Sequence, residues 1–282
     1  MMAGDRRSGP SAAAAAGSAL EWRADDEFSL DGVSYVCRPR ADTVRSSADR
    51  FCIRKPRKIV EHCEALVRRL APRRIAEVGI YDGGSMALLA QLARPERLIG
   101  FDITEDPSPA LDQFAAAHGF SETLSAYWGV DQADRERLNS ILDEEIGGMP
   151  LDLVIDDASH LLDESRLTFD ALFPRLRPGG EYVLEDWAWA HAIMEVWPET
   201  QPLTVLVAEA TIACAYHPHV ISSIEIDRPW AVIRRGEADL EPATFSLRGS
   251  LGARGERLID GMLSGGITGG GSASGRAGPA GS

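Results

Sequence analysis

The feature that most constrains the fold is a regular alternation of short apolar runs and amphipathic segments that begins near residue 73. The runs RRIAEVGI, RLIGFDI, ETLSAYWGV, LDLVIDD and GEYVLED predict strands, and the segments between them predict helices. Strands that alternate with helices of this length pair in parallel, with each helix as the crossover. A further helix, LTVLVAEATIACAY, precedes two predicted strands, VISSIEI and WAVIRR. The sequence therefore predicts a doubly wound α/β fold, with a mostly parallel seven-stranded sheet and a C-terminal antiparallel hairpin.

The chain outside this pattern divides into three further segments. Residues 1–18 and 251–282 are rich in small residues, and we expect both to be disordered or flexible tails. Within 19–70, EFSLDGVSYVCR predicts a hairpin turning at Asp31-Gly32, and RKPRKIVEHCEALVRRL predicts an amphipathic helix. Residues 19–70 are thus a candidate lid or oligomer arm, possessing structure of their own, in front of a domain spanning 71–250.

Composition excludes several classes of partner. The net charge of −14 argues against nucleic acid and anionic membranes, because both repel an acidic surface. No apolar run approaches the roughly 20 residues that span a bilayer. The four cysteines form no CxxC pair, which favours free thiols in a reducing cytosol. We therefore expect a cytoplasmic protein that acts on a small molecule.

The turn EVGIYDGGS (77–85) joins the first strand of the alternating region to its first helix. Glycines allow a ligand to approach the backbone there, and ligands of open α/β sheets bind beyond the carboxyl ends of the strands. A dinucleotide would require G-x-G-x-x-G, whereas Asp82 would repel a pyrophosphate. Glu77 suits a cationic ligand such as S-adenosylmethionine (SAM), with its sulfonium and amino groups. The remaining alternative is a tight turn without a ligand.

Two further acidic positions fit the same ligand. Asp102 ends the second strand, where a carboxylate can accept hydrogen bonds from both ribose hydroxyls. Asp131 or Gln132, after the third strand, could reach the adenine edge. Alternatively, Asp131 caps the helix that follows, and both roles are compatible.

Two adjacent strands each end in a pair of carboxylates, Asp156-Asp157 in VIDDASH and Glu185-Asp186 in VLED. Like charges held close together disfavour ionisation unless a cation or a proton intervenes. Carboxylate oxygens gathered at one place suit a hard divalent cation, in particular Mg²⁺ with retained waters. The alternative is that these acids are helix caps and loop charges.

His160 follows the first pair at the mouth of the same crevice. A neutral imidazole there can take the proton of a substrate hydroxyl, although a surface or capping role is the alternative. Trp187, Trp189 and Trp197 follow the second pair and line either an acceptor pocket or lid, or the core.

The motifs IAEVGIYDGGS, IGFDI, GVDQAD, VIDDASH and LFPRLRPGGEYVLEDW resemble those of the class I SAM-dependent methyltransferases, which have a Rossmann-like fold. More narrowly, they resemble the metal-dependent sugar O-methyltransferases of macrolide biosynthesis, of the mycinamicin and macrocin type. They are also similar to the group known as cephalosporin hydroxylases or rhamnosyl O-methyltransferases. The resemblance covers roughly residues 73–190, and residues 19–70 match no part of that family.

The resemblance implies a role for each matching position. It implies His160 as general base and a Mg²⁺ site formed by Asp157, Glu185 and Asp186. The implied and predicted SAM contacts together are Glu77, Gly79, Tyr81, Ser85, Asp102, Asp131, Gln132 and Asp156. The implied reaction is methyl transfer from SAM to a hydroxyl of a sugar or other small natural product, in a monomer or homo-oligomer. Alternatives are a metal-independent methyltransferase with another acceptor, a hydroxylase, and a non-catalytic SAM-binding protein.

Overall fold

The computed structural model describes residues 19–37, 45–192 and 201–264. The predicted tail 1–18, residues 265–282 of the second predicted tail, and Trp197 lie outside these ranges. The chain divides into two compact units. The division differs from the predicted boundary near residue 70, because two segments beyond it, Asp82–Arg94 and Ser108–Ser121, cluster with the N-terminal residues.

The first unit contains a four-stranded sheet in the order β1-β2-β3-β4 and three helices. Their bounds are β1 Glu21–Ala24, β2 Glu27–Leu30, β3 Val33–Cys37, β4 Arg50–Ile53, α1 Arg57–Leu70, α2 Gly84–Ala93 and α3 Pro109–His118. The predicted hairpin is confirmed, since Leu30 pairs with Val33 across Asp31 and Gly32, which both have positive φ. The helix predicted within 54–70 is also confirmed as α1. Strands β1 and β4 were not predicted, because neither adjoins an Asp-Gly turn such as the one that marks the equally short β2.

A row of aromatic rings packs within this first unit. Phe28 lies 4.8 Å from Trp22 on one side and 4.8 Å from Tyr35 on the other, measured between ring centroids. Phe51 continues the row at 6.1 Å from Tyr35, and Phe114 of α3 meets it edge-on at 5.5 Å. Such pairs stabilise a core beyond the burial of their area, so this small sheet has a core of its own.

The second unit contains a seven-stranded sheet in the order β10-β11-β9-β8-β5-β6-β7 and five helices. The strands are β5 Arg74–Val78, β6 Arg97–Asp102, β7 Leu124–Trp128, β8 Leu151–Asp156, β9 Leu176–Glu185, β10 Ile221–Ile226 and β11 Trp230–Arg235. The helices are α4 Arg135–Ile146, α5 Leu162–Leu172, α6 Trp189–Ala192, α7 Thr204–Tyr216 and α8 Gly252–Ser264. Strands β5 to β9 pair in parallel, and β11 pairs antiparallel with both β9 and β10. This confirms the predicted mostly parallel sheet and its C-terminal hairpin.

The register of this sheet brings three strand ends to one edge. Val78 of β5 pairs with Asp156 of β8, and Asp156 pairs with Leu184 of β9. Because the three strands are parallel, the residues that follow them emerge side by side. The core beneath includes the stacked rings of Phe169 and Phe173, 4.5 Å apart, with Tyr182 at 4.8 Å from Phe169.

The prediction that 251–282 is a flexible tail is wrong for its first half, where α8 forms. Leu251, Gly255 and Ile259 are buried at a spacing of four residues, which is one face of a helix. A Cβ atom on Gly255 would lie 2.7 Å from Ile212 Cγ2 of α7, so the glycine permits the close packing. The glycine content that suggested a tail instead serves a helix contact. Among the described residues, no helix has both the length and the apolar character needed to cross a membrane.

Candidate active site

The end of β5 and the end of β8 touch through Gly79. Its φ of +93° favours glycine, and a Cβ atom built there would lie 2.2 Å from the carbonyl oxygen of Asp157. The Asp157 N–H donates to the Val78 carbonyl over 2.9 Å. Glu77, one of the predicted SAM contacts, is completely buried within β5. The glycine is therefore needed for the approach of the two loops, whatever it does for a ligand.

Asp102 holds the loop that follows β5. Its Oδ2 accepts hydrogen bonds from the N–H groups of Ile80 (2.8 Å) and Tyr81 (2.7 Å), and its Oδ1 accepts one from Thr104 (2.9 Å). Tyr81 has a φ of +53°, a conformation that costs free energy in a non-glycine residue. The carboxylate predicted to bind ribose thus also stabilises a strained turn.

The last four residues of the predicted turn, Asp82 to Ser85, belong to the first unit. Ser85 lies in the first turn of α2. Asp82 is buried, and its carboxylate accepts a hydrogen bond from the Ser46 N–H over 2.5 Å, with the Arg45 guanidinium at 3.8 Å. The sequence predicts that Asp82 would repel a pyrophosphate ligand. In the structure, this carboxylate has partners within its own unit, the Ser46 N–H and the Arg45 guanidinium.

The residues after β7 differ from the prediction in one respect. The side chain that caps α4 is that of Asp134, which accepts from the Arg137 N–H over 2.9 Å. The capping role considered for Asp131 is therefore wrong, since this exposed residue instead accepts from the Ala133 N–H over 2.8 Å in a local turn. Asp131 keeps its side chain near the same edge of the sheet, whereas Gln132 is buried.

Asp157, His160 and Asp186 converge at the ends of β8 and β9. One potential ligand atom from each lies within 4.8 Å of the other two, and all three side chains are half-buried. His160 Nε2 lies 3.9 Å from Asp157 Oδ1. Among the residues that the structure describes, no other group of three such side chains meets this criterion. We refer to these three residues as the acid–histidine cluster.

The backbone around the acid–histidine cluster is strained. His160 has a φ of +56° and Asp186 a φ of +50°. Non-glycine residues persist in this conformation only where the surrounding structure holds them, and such positions concentrate at functional sites. Asp186 is held by its own N–H, which donates to the Pro229 carbonyl over 2.8 Å, and by its carbonyl, which accepts from the Trp189 N–H over 2.7 Å.

Glu185 does not join the cluster, which corrects the predicted set of three acidic ligands. Successive residues of a strand point to opposite faces, and Glu185 is the buried member of its pair at 3% exposure. The third side chain near Asp157 and Asp186 is that of His160. Asp156, predicted as a SAM contact, is likewise the buried member of its pair.

Asp156 lies in the core beside Tyr182, whose hydroxyl donates to Asp156 Oδ2 over 2.7 Å. Burial raises the pKa of Asp156 to about 7, the hydrogen bonds from Tyr182 and Ala158 oppose this shift, and the charge of Asp157 adds to it. Sequence reasoning missed Tyr182, which pairs with Val154, two residues before Asp156 in β8. No signal in the sequence pointed to this contact. This buried pair supports the strand that carries Asp157.

Trp187 and Trp189 have different surroundings. The Trp189 ring lies 5.8 Å from the His160 imidazole, which places an aromatic wall beside the acid–histidine cluster. Trp187 donates its indole N–H to the Asp227 carbonyl over 2.8 Å and packs against the core. Of the two alternatives for these side chains, the core applies to Trp187. The acceptor pocket stays a prediction for Trp189.

Part of the chain matches a known protein family. Residues 76–187 match a family described as a methyltransferase domain. We refer to these residues as the matched domain. Their limits run from the strand that carries Glu77 to the residue after Asp186, so they contain the entire acid–histidine cluster.

The chain is also similar to named O-methyltransferases. It is 35% identical over 132 residues to demethylmacrocin O-methyltransferase of Streptomyces fradiae, covering 44% of this chain and 29% of that enzyme. It is 33% identical over 132 residues to mycinamicin VI 2''-O-methyltransferase of Micromonospora griseorubida, covering 44% and 28%. The matched region spans less than a third of these relatives' length. The resemblance to class I SAM-dependent O-methyltransferases of the mycinamicin and macrocin type is thus supported for the domain.

A solved structure has a similar fold over most of the chain. The MycE methyltransferase from the mycinamycin biosynthetic pathway, in complex with Mg and SAH, superposes with a TM-score of 0.50 at 23% identity. The match covers 74% of this chain and 55% of MycE. At this identity the likeness concerns the Rossmann-like fold alone.

Proposed function

We propose that the chain transfers the methyl group of SAM to a hydroxyl of a sugar or other small natural product. The observation that carries the proposal is the acid–histidine cluster beside the turn at Gly79, within a domain related to sugar O-methyltransferases. The acidic turn suits a cationic cosubstrate, and ligands of open α/β sheets bind at this edge.

His160 is the proposed general base. The acceptor hydroxyl gives its proton to the imidazole as the hydroxyl oxygen forms a bond to the SAM methyl carbon. The carbon–sulfur bond breaks in the same step, and the sulfonium becomes the neutral thioether of S-adenosylhomocysteine. A positioned base of this kind contributes about 10²- to 10⁴-fold to such a step. Trp189 supplies an apolar wall for the acceptor on one side of the imidazole.

The cluster fits a divalent cation by its donor chemistry. Asp157 and Asp186 provide carboxylate oxygens, which Mg²⁺ prefers, while His160 adds an imidazole nitrogen within reach. Asp157 and Asp186 would hold the ion, leaving the imidazole for the proton. When bound, Mg²⁺ would lower the pKa of the acceptor hydroxyl. The roles of the first unit as lid or oligomer arm, and of a homo-oligomer, stay predictions.

Calorimetric titration of the EDTA-treated protein with SAM and, separately, with Mg²⁺ tests the proposal. We expect both to bind, with Mg²⁺ binding lost in Asp157→Asn and retained in the matched variant Asp163→Asn. Asp163 is an exposed aspartate in the first turn of α5, outside the cluster. Mass spectrometry of incubations with glycosylated acceptors should then show a gain of one methyl group. Absence of SAM binding would contradict the methyltransferase proposal, and SAM binding without metal binding would indicate a metal-independent enzyme.

A further inference from the structure

The side chain of Gln132 connects the loop after β7 to the loop that carries His160. Its Oε1 accepts a hydrogen bond from the Ser159 N–H over 2.9 Å, and its Nε2 donates to Thr168 Oγ1 of α5 over 2.9 Å. The Thr168 hydroxyl has two carbonyl oxygens within donating distance, that of Gln132 at 3.1 Å and that of Glu164 at 3.0 Å. One amide thus joins β7, the His160 loop and α5.

Both neighbours of His160 in the chain are held by hydrogen bonds. On the N-terminal side, Ser159 is bonded through its N–H to Gln132. On the C-terminal side, the Leu161 N–H donates to Ser159 Oγ over 3.2 Å, which closes a turn around His160. His160 has the left-handed φ of +56°, which persists only when the surrounding structure specifies it. The hydrogen bonds of Gln132 and Ser159 hold His160 in this conformation.

We propose that Gln132 is a positioning residue for His160 and not a contact for the adenine of SAM. The proposal rests on the proposed function, in which His160 is the base. Both polar ends of the amide are bonded within the protein, and the residue is only 7% exposed, so little of it is available to a ligand. Loss of the Gln132 hydrogen bonds would free the His160 loop. A misplacement of the imidazole by about 1 Å can cost about 100-fold in rate.

Four variants separate the positioning role from the alternatives. Gln132→Met keeps the volume and removes both hydrogen bonds. Gln132→Glu restores an acceptor for the Ser159 N–H, and the Thr168 hydroxyl can turn to donate to its second oxygen. Thr168→Val removes the outer bond and leaves the bond to Ser159. Gln132→Asn replaces the Met variant if that does not fold, because the shorter amide cannot reach Ser159.

The measurements are kcat and KM with a methyl acceptor, SAM affinity by calorimetry, and the melting temperature. For Gln132→Met we expect kcat to fall about 10- to 100-fold, with the SAM Kd changed less than threefold. Gln132→Glu should recover most of kcat. Thr168→Val should lower the melting temperature as much as the Met variant while keeping kcat within about threefold of the wild type.

Three outcomes would overturn the proposal. A SAM Kd raised tenfold or more in Gln132→Met, with kcat retained, would assign the residue to the adenine. If Gln132→Met and Thr168→Val lose kcat in the same proportion to their fall in melting temperature, the hydrogen bonds of Gln132 have only a structural role. The ring signals of His160 in NMR spectra provide a readout that needs no acceptor. They should shift in the Met variant and not in Thr168→Val, and unchanged signals in both would reject the proposal even if the enzyme function failed.

Discussion

Gly79 and Asp157 approach so closely that a Cβ atom on the glycine would lie 2.2 Å from the aspartate's carbonyl oxygen. The first residue belongs to the turn predicted to bind SAM, and the second to the acid–histidine cluster. Their contact means that the cosubstrate loop and the cluster share one backbone arrangement. A change at either position is therefore expected to affect both.

Gly79→Ala should disrupt this arrangement. The new methyl group displaces the Asp157 carbonyl, so we expect SAM affinity to fall about tenfold or more, together with loss of Mg²⁺ binding. Gly147→Ala is the matched control, since Gly147 also has positive φ (+56°) but nothing within 4 Å of its Cβ position. The control should lose only about 1–2 kcal/mol of unfolding free energy. Equal effects of the two variants, measured by calorimetry and denaturant unfolding, would show that the close contact has no functional consequence.

Asp102→Asn tests the anchor of the turn. The two carboxylate oxygens accept from N–H groups of Ile80, Tyr81 and Thr104. An amide has one oxygen, so in either orientation its NH₂ group faces a backbone donor. We expect faster hydrogen exchange at these amides and SAM affinity weakened about tenfold, with Asp102→Ala at least as weak. Asp106→Asn changes an exposed carboxylate in the loop that follows β6, and this variant should bind SAM normally. Unchanged SAM affinity in both Asp102 variants would show that Asp102 neither binds SAM nor holds the SAM turn in its binding conformation.

The order of strands and helices in the matched domain could be read from the sequence because strands and helices alternate there regularly. The short strands β1 and β4 could not, since neither adjoins an Asp-Gly turn such as the one that marks the equally short β2. The helix α8 was mistaken for a tail because Gly255 reads as flexibility until its contact with Ile212 is seen. Local composition therefore failed where a tertiary contact decides the conformation.

The candidate site shows the same limit at the level of single residues. The sequence indicated that carboxylates from two strands would meet, and Asp157 and Asp186 do. It did not show that Glu185 stays buried. Two adjacent acids at a strand end point to opposite faces, and the sequence does not say which of them faces the core. Nor could it show Ser159 and Gln132 bracing His160, since this relationship joins residues 27 positions apart.

His160→Ala should separate chemistry from binding. If the imidazole takes the acceptor proton, its removal slows turnover about 10²- to 10⁴-fold and leaves SAM affinity within about threefold. His191→Ala removes an exposed imidazole whose Nε2 lies 2.6 Å from Thr204 Oγ1, and serves as the control. Single-turnover methyl transfer and calorimetry provide the two readouts. Full activity of the His160 variant would reject the base role.

Asp170 should make stability depend on pH. Burial raises its pKa to about 6, while the Leu247 N–H, at 2.8 Å from Oδ1, and Arg135 oppose the shift. Because the folded pKa lies above the ordinary value, the stabilisation by this group is complete below about pH 4 and is lost as pH rises through about 6. The loss is at most about 3 kcal/mol.

Asp170→Asn removes this titration and keeps an oxygen for the Leu247 N–H. The unfolding free energy of the variant, relative to the wild type, should therefore rise between pH 4 and pH 7. Asp143→Asn, which changes an exposed aspartate paired with Arg175, is the matched control for an Asp-to-Asn substitution. Denaturant unfolding at half-unit pH steps measures the difference directly. A constant difference between Asp170→Asn and the wild type across this range would show that Asp170 titrates alike in the folded and unfolded chains.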